Sequence, residues 1–342
     1  MDPPLPRPRP TLDQLSGALL GLAVGDAVGA VVEALPPEVA RSYVEEVLRP
    51  GRIPTRGRET FPFGQVTDDT QLARELLLAV GEDGVLDPGV FAERLLHLVD
   101  SGDLVGGGPA TVTAARRFAL GLPWQETGIP APYAGNGAAM RAAPLGVLYG
   151  HDPRRLVGVI ADQARVTHQD PRAVAGALAI AVATAIAARR DPITPARFLA
   201  EVSEAVEPVH APTAAELVAM AAWVGLPPAE ASEGLRAQGL EPTAAAGWRG
   251  ISSHVTASVG WSLYAFLHSP DEYWEAVCVA VAVGGDSDTL AAMTGGIAGA
   301  RLGTGAVPAR YRERLTDRGR WSAAELLALA ATVHRRVGFA IP

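Results

Sequence analysis

The sequence predicts an all-α domain of about a dozen helices joined by Gly/Pro loops, and three observations carry that reading. Apolar residues recur three and four apart in stretch after stretch, from TLDQLSGALLGLAVGDAVGAVVEAL to SAAELLALAATVHRRV. Many of these stretches open on Asp, Ser or Thr followed by Pro, which is helix-start chemistry. Alternating apolar and polar runs closed by Asn-Gly or Asp-Gly turns are nearly absent.

Taken in order, MDPPLPRPRP has no apolar signal core and reads as a disordered Pro/Arg lead-in over residues 1–12. The remainder, 13–342, shows no linker, charge block or repeat and is expected to be one domain. In the first helix, Asp26 and Glu33 stand seven residues apart among Gly, Ala, Val and Leu, which would place them on one face. In GQVTDDTQLA (64–73), Thr67 can N-cap a helix whose first residues are Asp68 and Asp69. Two adjacent Asp flanked by Thr also form a compact oxygen set of the kind hard divalent cations require.

DPGVFAERLLHLV precedes a loop ending in GGGPAT (106–111), a glycine run at a helix N-terminus that suits a diphosphate. AGNGAAMRAAPLG (134–146) is a second glycine turn opening a helix. THQDP (167–171) sets His168 just before a Pro-led helix, exposed enough to touch a ligand. The run AVAGALAIAVATAIAA (173–188) is too short to span a bilayer and reads as a central buried helix. Segment 189–250 carries no readable motif and is expected to pack as peripheral helices; the loops 48–67, 101–109 and 127–137 fall where sites are assembled.

DEYWEAVCVAVAV holds the single cysteine, Cys278, a small core residue that excludes an intramolecular disulfide and a cysteine-based zinc site. GGDSDTLAAMTGGIAGA (284–300) then opens an apolar helix with Asp286, Asp288 and Thr289. Bare charge leading such a helix toward the core is costly unless paired or metal-bound. A regular helix sets Asp286 and Asp288 about 200° apart, so to converge they must lie in the turn before it, where Gly284 and Gly285 give the freedom. Two acidic helix starts meeting in space would enclose a two-metal site. The C-terminal region 305–342 reads as structural, with His334 on a solvated helix face.

The net charge of −8, with all 29 basic residues Arg, argues against a broad nucleic-acid footprint. Nothing reads as a membrane segment, and a cytoplasmic, soluble protein is expected, with monomer as the default.

In this order, GALLGLAVGDAVGAVVE, GQVTDDTQLA, the Gly-rich loop, GNGAAMRAAPLG, THQDP and GGDSDTLAAMTGGIAGA resemble the ADP-ribosylglycohydrolase superfamily from about residue 14 to 304. The resemblance implies an orthogonal multi-helix fold with a binuclear Mg²⁺ or Mn²⁺ centre and hydrolysis of the glycosidic bond linking ADP-ribose to an acceptor. It implies Thr67, Asp68, Asp69, Asp286, Asp288 and Thr289 as metal ligands. Glu33 matches an acidic residue that positions the distal ribose, and Asp69 or Glu33 would take the proton of an attacking water. Gly106, Gly107, Gly108, Gly135, Asn136 and Gly137 would line the diphosphate and ribose, and His168 matches a ligand-contacting histidine. The implied partners are ADP-ribose and an ADP-ribosylated protein or metabolite.

One departure concerns the acceptor. The arginine-directed branch carries an Asp-Ile-Gly-type sequence where this chain has GGGPAT, so its Asp position falls on Gly106, with Asp103 only loosely in register. The Gly-rich version looks closer to the serine-type hydrolases. Isoprenoid diphosphate synthases also pair acidic motifs, but they expect Asp-Asp-x-x-Asp and here Leu72 fills the last place. The other readings are a silent ADP-ribose-binding protein on the same fold, and an enzyme for a free metabolite such as O-acetyl-ADP-ribose.

Overall fold

In the computed structural model, residues 9–238 and 249–339 are described, and among them the chain is all-α, with isolated β-bridges and no sheet. Residues 1–8 of the lead-in and 239–248 of segment 189–250 lie outside the described residues. The first half holds α1 (Leu12–Gly29), α2 (Pro37–Tyr43) with a π-helical turn (Val44–Leu48), α3 (Asp68–Leu78), α4 (Pro88–Asp100), α5 (Pro109–Ala119), α6 (Trp124–Thr127), α7 (Ala143–Tyr149) and α8 (Pro153–Arg165). The second holds α9 (Pro171–Ala187), α10 (Pro195–Val206), α11 (Ala211–Ala219), α12 (Pro228–Arg236), α13 (Val255–His268), α14 (Tyr273–Ala282), α15 (Ser287–Leu302), α16 (Ala309–Arg312) and α17 (Ala323–Phe339).

The expected start signals act as expected in four places. Thr11 and Gln14 form a reciprocal capping box on α1, and Asp87, Asp152 and Asp170 cap α4, α8 and α9 ahead of a proline. Helix α9 is buried on nearly every side, as its Ala-rich composition implies. Cys278 is fully buried in α14. His334 departs from expectation: it is half-buried, and its Nε2 lies 2.9 Å from the Pro10 carbonyl, so the residues just ahead of α1 lie against that face of α17.

The central pair is α1 and α15, antiparallel and in backbone contact. Gly17, Gly21, Gly25 and Gly29 recur every fourth residue on one face of α1. A Cβ at each would meet the carbonyl oxygens of Gly299, Gly295, Ala291 and Ser287 at 2.2, 2.2, 2.1 and 2.3 Å. Without side chains between them, the two helices pack closer than ordinary ridge-and-groove spacing permits. The pairing brings the C-terminus of α1 to the N-terminus of α15, where Ser287 Oγ donates to the Gly29 carbonyl at 2.9 Å. The first and last motifs of the chain therefore share one end of the core.

Candidate functional site

The α15 N-terminus is shaped by its glycines. Gly284 and Gly285 hold φ of +69° and +82°, a region disfavoured for residues with a Cβ. The turn they make is clamped on two sides by backbone hydrogen bonds. Ala34 N–H donates to Gly285 O at 2.8 Å and Gly285 N–H to Leu35 O at 3.1 Å, while Asp286 N–H donates to Ile251 O at 2.9 Å. Asp286 sits at the N-cap without capping the helix. Its carboxylate accepts instead from Asn136 Nδ2 at 2.6 Å. Asp288 follows in the first turn, with Oδ1 accepting from the Thr289 N–H at 2.9 Å.

At the start of α3, Thr67 occupies the N-cap position but makes no side-chain cap, contrary to expectation. Asp26 is the competing partner. This fully buried carboxylate accepts from the N–H and hydroxyl of Thr67 and from those of Thr70, at 2.5 to 3.2 Å. A side chain fixed inside α1 thus aims the Thr67–Asp69 turn. Asp69 Oδ1 is buried with no hydrogen-bond partner.

Glu33 is not on the face of α1 with Asp26, because the helix stops at Gly29. Ala34, at φ +59°, and the hydrogen bonds to the Gly285 turn draw the chain off the helical path. Glu33 is thereby delivered to the aspartates of α15: ligand oxygens of Glu33, Asp286 and Asp288 all lie within 4.8 Å of one another. Arg58 Nη1 pairs with Glu33 and lies 3.5 Å from Asp288 Oδ2. Sequence reasoning missed Arg58, since it stands in the Gly/Pro loop 48–67 with no motif around it. Gly106, expected to line the ligand, also makes room for Arg58: at φ +81° it stands where a Cβ would come within 2.7 Å of the Arg58 guanidinium.

These groups line one cleft of about 190 Å³. Glu33, Asp68, Asp69, Asp286, Asp288 and Thr289 line it together with Gly106, Gly108, Gly135, Asn136, Gly137 and His168. Tyr133 and Ser253 also face it and carried no signal in the sequence beyond their neighbours. Gly107 turns away toward Leu104, and Thr67 stays beneath, against Asp26. His168 is not exposed as expected but buried at the back of the cleft, its ring against Gly135 and Gly137. Burial and the nearby Arg141 push its pKa down to about 3, so it is neutral.

The acidic wall is under strong mutual repulsion. Burial first, and then the Asp288 charge, raise Asp68 to about 7 and Asp286 to about 8, and hold Asp69 well above the usual carboxylate range. Glu33 is raised by the same two causes, against the pull of Arg58. Carboxylates crowded this way are stabilised by cations. The all-oxygen donor set and the orphaned Asp69 Oδ1 fit a hard divalent ion, while the absence of Cys and of a second His at the wall does not suit zinc.

Comparison with known proteins agrees with this geometry. The family model for ADP-ribosylglycohydrolase matches residues 7–338. An uncharacterized protein of Archaeoglobus fulgidus is 33% identical over 313 residues, covering 90% of this chain and 92% of that protein. The ADP-ribosyl-[dinitrogen reductase] glycohydrolase of Rhodospirillum rubrum is 33% identical over 174 residues, 49% of this chain and 55% of the relative. A solved structure described as an ADP-ribosylglycohydrolase-related protein complex superposes with a TM-score of 0.67 at 30% identity, covering 95% of this chain and 98% of its own. Among the described residues no helix is long and apolar enough to cross a membrane.

Proposed function

The chain belongs to the ADP-ribosylglycohydrolase family, a family of hydrolases acting on glycosyl bonds, and we propose that it releases ADP-ribose from an ADP-ribosylated acceptor in the cleft between α3 and α15. The observation that carries this reading is the convergence of Glu33, Asp68, Asp69, Asp286 and Asp288 on one cleft that Gly106, Gly108, Gly135 and Gly137 also line.

Thr67, Asp68, Asp69, Asp286, Asp288 and Thr289 would hold two divalent cations, Mg²⁺ or Mn²⁺. Bound there, the ions supply Lewis acidity and offset the repulsion of the wall. The hydroxyl proton of Thr67 is committed to carboxylate oxygens of Asp26 or Asp69, which leaves its lone pairs for a cation. The backbone at Gly106–Gly108, ahead of α5, and at Gly135–Gly137 suits the diphosphate and ribose, since no side chain bars close approach. In this reading Asp69 or Glu33 would take the proton of the attacking water as its oxygen joins the anomeric carbon and the bond from that carbon to the acceptor breaks. The departing acceptor then takes a proton back, and the surrounding carboxylates stabilise the oxocarbenium-like charge.

The test is release of ADP-ribose, followed chromatographically, from arginine-, serine- and O-acetyl-linked substrates with Mg²⁺, with Mn²⁺ and with EDTA. Metal-dependent release that Asp286→Ala abolishes supports the reading and identifies the linkage. A folded protein that binds Mn²⁺ yet releases ADP-ribose from none of the three would sink it.

A further inference from the structure

Behind Gly135 and Gly137 lies a hydrogen-bonded chain that ends on the His168 ring. Arg141 is fully buried, stacked over the Phe91 ring at 5.0 Å. Its Nε donates to Gln163 Oε1 at 2.7 Å, and its Nη2 donates to the Gln163 carbonyl at 2.9 Å and to Thr167 Oγ1 at 2.8 Å. Thr167 Oγ1 in turn lies 2.8 Å from His168 Nδ1. Both side chains are buried, Thr167 at 0% and His168 at 2% exposure, so water does not compete for these bonds.

Donor and acceptor counting fixes the direction of this chain. A guanidinium only donates, so Thr167 Oγ1 must accept from Arg141. A hydroxyl has one proton to give, and among the described residues His168 Nδ1 is the remaining neighbour of Thr167 Oγ1 able to take it. Were Nδ1 to carry the ring proton instead, the hydroxyl proton would be left unpartnered in the interior, at a cost of about 1–3 kcal/mol. Nδ1 is therefore the acceptor and the ring proton sits on Nε2. Nε2 makes no hydrogen bond to the described residues; it lies beside Gly135, where a Cβ would meet it at 3.1 Å, and the ring lines the cleft.

We propose that Arg141 and Thr167 are positioning residues that lock His168 as the neutral Nε2–H tautomer, making it a fixed hydrogen-bond donor into the cleft that selects an oxygen acceptor on the ligand, a phosphate or ribose oxygen, and rejects a donor there. This deepens the ADP-ribose reading and rests on it for the identity of the ligand. The tautomer itself does not.

The two parts separate experimentally. On ¹⁵N-histidine-labelled full-length protein, His168, assigned by loss of its signals in His168→Gln, should show a pyridine-type Nδ1 and a pyrrole-type Nε2. Thr167→Val, close in shape, should lose the single-tautomer pattern and weaken ADP-ribose binding by calorimetry about tenfold, while Thr167→Ser restores both. The reverse tautomer or an imidazolium in the wild type would overturn the proposal, and so would a Thr167→Val protein with unchanged spectrum and affinity. If Thr167→Val does not fold, the wild-type spectrum and Thr167→Ser still decide. A wild type with the expected tautomer but no affinity for ADP-ribose would overturn the assigned ligand and leave the locked tautomer standing.

Discussion

Asn136 donates its side-chain amide to Asp286 Oδ2 at 2.6 Å, joining the glycine turn of residues 135–137 to the start of α15 across 150 positions of sequence. The sequence places Asn136 among ligand-lining residues; the structure gives it a second task, to orient one carboxylate of the acidic wall. An outer partner of a ligating group typically contributes 10–100-fold to metal affinity. Asn136→Ala is expected to weaken Mn²⁺ binding about tenfold, measured by calorimetry on folded protein, and unchanged affinity would show that the bond orients nothing.

Arg58 should act in the opposite direction. Its guanidinium pairs with Glu33 and approaches Asp288, so it supplies positive charge where a cation would otherwise be attracted. Removing it leaves the wall more negative. Arg58→Ala is expected to bind Mn²⁺ about fivefold more tightly than wild type, and to be less stable in EDTA. Weaker binding by the variant would mean that Arg58 assembles the wall rather than competes for it.

The metal-free protein should lose stability as pH rises. Asp68 and Asp286 have folded-state values of about 7 and about 8, above their unfolded value near 4. Between those limits the folded chain binds more protons than the unfolded chain, so the slope of stability with pH is negative. The contribution is complete below about pH 4 and gone above the raised values. In EDTA, Tm is expected to fall by roughly 5 °C or more from about pH 5.5 to about pH 8.5. Mn²⁺ should raise Tm more at the upper end. A flat or rising Tm in EDTA would show that burial and mutual repulsion do not raise these carboxylates on folding.

Close packing of α1 on α15 predicts a sharp contrast between two glycines. A Cβ at Gly25 would stand 2.1 Å from the Ala291 carbonyl, whereas one at Gly158, exposed on α8, meets nothing within 4 Å. Gly25→Ala is expected to cost about 3 kcal/mol or more and to disturb the site, since α1 carries Asp26 and leads to Glu33. Gly158→Ala should gain about 0.5–1 kcal/mol from helix propensity alone. Denaturant unfolding of both variants checks the pair; equal effects would remove the packing argument.

By itself the sequence determined the helical class, because apolar spacing and Asp-Pro starts act within one turn of the chain. It also singled out the two acidic helix starts, TDDT and GDSDT, since carboxylates ahead of apolar runs are costly enough to be conspicuous. The tertiary structure alone decided how these residues meet. Glu33 leaves the helix because its turn is hydrogen-bonded to Gly285, a partner some 250 residues away. Thr67 abandons its cap because Asp26 is the stronger acceptor at close range. His168 is buried because two glycines make room for its ring, and Arg58 has no motif at all. Local rules read one turn or one face at a time, whereas a buried charge takes its partner from whatever the packed core brings within reach, and that partner is fixed only when α1 closes on α15.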